Sequence, residues 1–230
     1  MAGPDHFIDL THTIRHEGMP IFPGYPQPQI KPFMSYSEAA ESGRYEGCAC
    51  QIDAVSFVSS TGTYMDAPAH FFPESHSITD YALDDLVMEA VVLDCRSCAN
   101  PGRPLDLNYV RENLETIDVA GRALLLETGW SACWEQKEYF DHPFLDKQTV
   151  DFIIGKKPAL VGMDVLVIDD RNDKARPAHC GFLSNNILIV ENLNNLSLVR
   201  GLSVEIFFIP LKLEGTVSIP VRAFAKEVTD

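Results

Sequence analysis

A chain of 230 residues with 46% hydrophobic and 22% charged residues is neither a disordered polymer nor a collagen-like repeat, and it is long enough for one core that buries roughly 70% of the unfolded surface. Its 33 Asp and Glu against 18 Lys and Arg, a formal charge of -15, argue against nucleic acid and anionic membranes, which are bound through clustered cations. A small-molecule substrate is the expected partner.

In chain order, residues 1–35 read as an extended arm. Its Met19-Pro20-Ile21-Phe22-Pro23-Gly24-Tyr25-Pro26 stretch cannot be helical, because proline lacks the amide donor and clashes with the preceding turn. The opening MAGPDHFIDLTH carries charges where a signal peptide needs an apolar run, and no run of about 18 apolar residues follows. A cytoplasmic protein is expected, its six cysteines reduced rather than bridged. Cys48-x-Cys50 and Cys95-x-x-Cys98 are too far apart, and the first too tightly spaced, to make a convincing thiolate zinc site.

β-Branched and aliphatic runs predict strands at Gln51–Val58, Ala90–Asp94, Ala123–Glu127, Ala159–Val161, Ile187–Val190 and Val204–Pro210. Helices are predicted from Asp106 as N-cap, with Leu107, Val110 and Leu114 at helical spacing, and from Asp146, with Val150, Ile153 and Ile154 on one side. No repeat or Gly/Ser linker divides the chain, so a single domain over 1–230 with a mixed sheet and few helices is expected, of the α/β or α+β class.

Two segments carry candidate chemistry. In Ser59-Ser60-Thr61-Gly62-Thr63-Tyr64-Met65-Asp66-Ala67-Pro68-Ala69-His70, Pro68 blocks a regular helix, so Asp66 and His70 are expected on an extended loop, either as metal ligands or as a turn cap and a surface histidine. In the second segment His179 precedes the apolar run Ile187–Val190, and period-two alternation puts Glu191 on the face of Ile187 and Ile189. A carboxylate on an apolar face needs a cation, a base or a proton; if the strand ends at Val190, Glu191 sits in water instead. Asp66, His70, His179 and Glu191 together suit zinc or manganese. Asp169-Asp170-x-Asn172-Asp173 resembles part of a calcium loop, but it lacks the turn glycine and the closing glutamate and reads as solvated acids. Trp130 and Trp134 either line a pocket or pack behind it.

Beyond these patterns the sequence resembles the cyclase family of metal-dependent hydrolases, which includes bacterial kynurenine formamidases and isatin hydrolases. Ile8-Asp9-Leu10-Thr11-His12, the Met19-Pro20 to Pro23-Gly24 arm, Leu125-Leu126-Glu127-Thr128-Gly129-Trp130 and Gly162-Met163-Asp164 each look like a family segment. Ser60 to His70 aligns with the signature His-x-Gly-Thr-His-x-Asp-x-Pro-x-His, and His179 and Glu191 match its downstream His and Glu. The departures are Ser60 and Tyr64, which stand where the family has the first two histidines of one metal position. Neutral hydroxyls replace imidazole poorly, so that position is expected to be lost.

The resemblance implies a single-domain swivelling β/β/α fold with a barrel-like mixed sheet. It also implies a homodimer or homotetramer in which the arm shapes a neighbour's pocket, and hydrolysis of a cyclic or aryl-linked amide or lactone. At most one divalent ion (zinc or manganese) is implied, held by Asp66, His70, His179 and Glu191, with four ligands closing the site unless one is loose. His70 or Glu191 would act as general base, Tyr64 would donate to the tetrahedral oxyanion, and Phe22, Tyr25, Ser60 and Trp130 would contact the substrate. The alternatives are a metal-independent cyclase, isomerase or dehydratase, or an inactive binding paralogue.

Overall fold

The computed structural model describes residues 7–228; the first six residues of the predicted arm and domain, and the last two residues of the chain, lie outside it. The elements are β1 (Phe7–Asp9), β2 (Gln29–Met34), α1 (Tyr36–Glu41), β3 (Ile52–Ser56), β4 (Tyr64–Asp66), β5 (Val87–Asp94), α2 (Leu107–Leu114), β6 (Ala123–Glu127), α3 (Lys147–Gly155), β7 (Leu160–Met163), α4 (Pro177–Ser184), β8 (Leu188–Glu191), β9 (Val204–Pro210) and β10 (Ser218–Glu227). Short 3-10 turns join several of them.

β4, β8, β7, β6, β5, β9 and β10 follow one another around a closed mixed barrel, since β10 pairs with both β9 and β4. β5 to β8 run parallel, and parallel neighbours require long crossovers, which here contain α2, α3 and α4. β1 extends the wall by pairing with β10 beyond β4.

The pleat explains why β6 reads as an unbroken apolar run. Ala123 and Leu125 join a cluster with Met65, Val190 and Phe208 inside the barrel. Leu124 and Leu126 join a second cluster with Val110, Ile153 and Phe182 beneath the helices. A strand buried on both faces has no polar side to show, and each such leucine contributes about 2 kcal/mol of burial. Gly162 in β7 is held to glycine by closeness, since a Cβ there would come within 2.8 Å of Leu193 and Leu125 side-chain atoms.

Asp106 and Asp146 cap α2 and α3 as predicted, accepting amide hydrogen bonds from Asn108 and Thr149 respectively. The predicted strand at Gln51–Val58 forms as β3, but outside the barrel. It pairs only with β2, and all five of its residues are exposed. Among the described residues no helix is long and apolar enough to cross a membrane, and all six cysteines are free.

Candidate active site

Strand register assembles the site. Met65 faces the barrel interior, so its neighbours Tyr64 and Asp66 face the helix side of the wall, where α4 packs. Tyr64 lies directly across the antiparallel ladder from Glu191, and opposed residues share a face; the Tyr64 hydroxyl donates to Glu191 Oε2. The other oxygen of Glu191 accepts from the Ile168 amide at 2.7 Å. Glu191 is inside strand β8 and fully buried, so the expectation of a solvated glutamate past the strand end does not apply.

Asp66 is likewise part of a strand rather than of the expected loop. It is fully buried, and neither of its carboxylate oxygens has a hydrogen-bond partner. The 3-10 turn Pro68–His70, with Pro68 in its first position, brings His70 back over it, with Nε2 3.9 Å from Asp66 Oδ1. His179 arrives from α4, not from an approach to β8 as the sequence suggested. Pro177 opens that helix, as proline does well at a first position, and His179 Nε2 lies 3.6 Å from Asp66 Oδ2 and 3.6 Å from Glu191 Oε1.

Asp169, read from the sequence as a solvated acid, is fully buried. It accepts from the Ala178 and His179 amides at 2.7 and 3.1 Å and sits 2.6 Å from His179 Nδ1. It thus satisfies the start of α4 and engages one ring nitrogen, which turns the other toward Asp66; a carboxylate behind a histidine in this way is a recurrent support of metal ligands. Pro177 and the acid ten residues before His179 were the signals available in the sequence.

The electrostatics ask for a cation. Burial alone would disfavour an imidazolium at His179, but Asp169, Asp66 and Glu191 outweigh it and raise its pKa to about 10. Burial, followed by the charges of Glu191 and Asp66, lifts the Tyr64 phenol well above its usual value, so it stays protonated and donates. Burial also pushes the Glu191 carboxyl upward, against the opposing charge of His179.

Asp66, His70 and His179 each offer one ligand atom, all within 4.8 Å of one another. Bonds of about 2.1 Å to a tetrahedral ion place ligand atoms about 3.4 Å apart, close to the spacings found. The orphaned oxygens of Asp66 are what such an ion would satisfy, so these residues fit a divalent metal.

The cavity above them measures about 130 Å³. Phe22 and Tyr25 of the arm wall one side, with Ser60 and Tyr64 beside them; Phe71, Val167 and Arg176, which the sequence did not single out, complete it around His70 and His179. Within this chain the arm therefore walls its own cavity. Trp130 is a correction: it packs against the helix-side core and donates to the Glu138 carbonyl. Trp134 is not in the cavity either, and stacks on His12 with ring centroids 3.9 Å apart. The family-like segments around them are structural, since Asp164 accepts from both the amide and the hydroxyl of Thr128, tying the ends of β6 and β7. Asn192, also unforeseen, anchors the loop before Tyr64 through the Gly62 carbonyl and receives the Tyr139 hydroxyl.

Solved structures define the class of fold. Isatin hydrolase A from Ralstonia solanacearum superposes with a TM-score of 0.84 at 22% identity, covering 98% of this chain and 93% of that one. A protein described as a "predicted metal-dependent hydrolase" from Bacillus stearothermophilus gives 0.74 at 23% identity, covering 97% and 99%. In sequence, the kynurenine formamidase of Geobacillus thermodenitrificans is 28% identical over 96% of this chain and 98% of its own length, and the family described as "Putative cyclase" matches residues 8–170. The chain belongs to this cyclase family and is an enzyme of it.

Proposed function

We propose that the protein is an amide or lactone hydrolase that uses one divalent ion, zinc or manganese, held by Asp66, His70 and His179. The observation that carries this is the fully buried Asp66 carboxylate, both oxygens without a partner, facing two imidazole nitrogens at 3.9 and 3.6 Å. The names of the relatives, kynurenine formamidase and isatin hydrolase, support an aryl-linked or cyclic amide as the substrate.

With three protein ligands rather than four, a position stays open, as in catalytic rather than structural zinc sites. A bound ion there would polarise the carbonyl and lower the pKa of a water. The residues of the chain supply the rest. Tyr64 lines the cavity and donates to Glu191, so a proton from the attacking water has a path through the phenol oxygen to the carboxylate. The hydroxide oxygen bonds to the carbonyl carbon, the C–N or ring C–O bond breaks, and the same proton returns to the departing nitrogen or oxygen. His70, 29% exposed in its side chain, is the ligand nearest solvent and orients the water. Phe22 and Tyr25, 5.5 Å apart, offer ring faces to a flat substrate.

Metal analysis of protein purified without added metal, together with turnover assays, tests this reading. About one ion per chain is expected, with hydrolysis of at least one of an N-formyl arylamine, an isatin-like lactam and a dienelactone. A chain that holds no ion, or a loaded chain inert toward all three, would overturn it.

We propose in addition that the chain self-associates through the β2–β3 hairpin. Phe33 is 75% and Val55 54% exposed there, on strands paired only with each other. A purely monomeric species in sedimentation at micromolar concentration would refute this.

A further inference from the structure

We propose that Arg176 is the specificity determinant of the cavity and that the substrate carries a carboxylate, which the guanidinium holds while the scissile carbonyl lies at Asp66, His70 and His179. The proposal deepens the hydrolase reading and rests on it. Arg176 lines the cavity with His70 and His179. Its side chain has no hydrogen bond and no ion pair among the described residues, and its Nη1 is buried without a partner. A desolvated N–H donor left unpaired is costly, and more so when it is charged.

One further feature holds the guanidinium in place. It lies over the Phe22 ring, 5.6 Å from the centroid, a contact that orients a cation without using its donors. The backbone of Arg176 is left-handed, with φ 47° and ψ 57°, a conformation costly for any residue with a Cβ and natural to glycine.

The chemistry selects the anion. A guanidinium fork matches the two oxygens of a carboxylate. A doubly charged phosphate calls for a second cationic side chain, and Arg176 is the one lysine or arginine that lines the cavity. The cavity of about 130 Å³ admits a small compound of roughly one ring.

Benzoate and its uncharged isostere benzamide are the probes, titrated calorimetrically into the purified full chain and into Arg176→Gly and Arg176→Lys. The unaltered protein is expected to bind benzoate at least about tenfold tighter than benzamide, as a charge-assisted paired contact should. In Arg176→Gly the preference should fall to within about twofold while the melting temperature holds or rises, because glycine relaxes the left-handed backbone. Arg176→Lys, which keeps the charge but loses the fork, should fall between the two.

No benzoate binding at millimolar concentration, no preference in the unaltered protein, or a preference that survives in Arg176→Gly would overturn the proposal. So would a lower melting temperature in Arg176→Gly, which would make the residue structural. Turnover of N-formylanthranilate and formanilide judges the underlying reading separately. Preference without turnover of either leaves carboxylate recognition standing and removes hydrolysis; equal turnover of both removes the role of Arg176 alone.

Discussion

From Ser60 to Tyr64 every polar side chain is hydrogen-bonded to the protein, whereas Asp66 and His70 face each other and His179 from beyond hydrogen-bond distance. Ser60 shares a hydrogen bond with Ser218 at 3.1 Å, Thr61 and Thr63 donate to the Val58 and Asn192 carbonyls, and Tyr64 donates to Glu191. Asp66, two residues on, is buried with both oxygens empty-handed, and His70 reaches nothing closer than Asp66 at 3.9 Å. The first half has become ordinary protein interior, in which hydroxyls close the network themselves. The second half gathers one buried carboxylate and two imidazoles around a gap that a divalent cation fits.

The sharpest way to break this contrast is Asp66→Asn. Metal affinity should fall by at least about 100-fold and hydrolysis should disappear. Elemental analysis and a turnover assay read the two effects, and unchanged metal content would take Asp66 out of the ligand set.

Asp169→Asn should act next most strongly, lowering metal affinity by about 10- to 100-fold through the freed His179 ring. It should also cost about 1–3 kcal/mol, because the carboxamide NH2 cannot accept from the His179 amide as Asp169 Oδ2 does, measurable by denaturant unfolding.

The converse experiment acts on the self-satisfied half. Ser60→His with Tyr64→His should raise metal content from about one toward two ions per chain, each single change doing less, since ligands of one site are not additive. Removing the Tyr64 hydroxyl leaves Glu191 Oε2 unpaired, at a cost of about 1–3 kcal/mol, so the double variant should be less stable without metal and regain stability with it. Failure to gain metal would show that the network around Ser60 and Tyr64 cannot reopen.

The smallest effect separates the site from the scaffold behind it. Burial lowers the pKa of His12 from 6.5 to about 4. The unfolded chain therefore takes up a proton between those values that the folded chain refuses. Stability should decline as pH falls from about 6.5 to 4 and be insensitive to this group below that, by an amount of up to about 3 kcal/mol. His12→Phe, which can keep the stack on Trp134, should remove its share of that slope in pH-dependent melting and leave the share of His142, whose pKa burial also lowers to about 4; an unchanged slope would assign it to other groups.

Where local chemistry suffices, the sequence was informative. β6 and β9 form at the predicted bounds, because apolar β-rich runs ended by turn residues leave little choice, and the aspartate caps placed α2 and α3. β10, the longest strand, was not legible. Pro220, Arg222 and Lys226 interrupt its pattern, and it forms because β9, β4 and β1 all pair along it. Helix α4 was hidden by Gly181, where a Cβ would come within 2.7 Å of Val150 Cγ1; close packing against α3, not helix propensity, sets that residue.

The site divides in the same way. Residue type and spacing suggested Asp66, His70, His179 and Glu191 as a group, because ligand chemistry is written there, and the family resemblance suggested Phe22, Tyr25 and Ser60 beside it and marked Ser60 and Tyr64 as departures. Only the folded chain decided that Asp169 stands behind His179, that Glu191 spends its oxygens on Tyr64 and Ile168, that Arg176 enters the cavity and that Trp130 does not. Those outcomes depend on which faces of β4, β8 and α4 meet, from the ten residues between Asp169 and His179 to the 127 between Tyr64 and Glu191, and such contacts leave no local periodicity from which to read them.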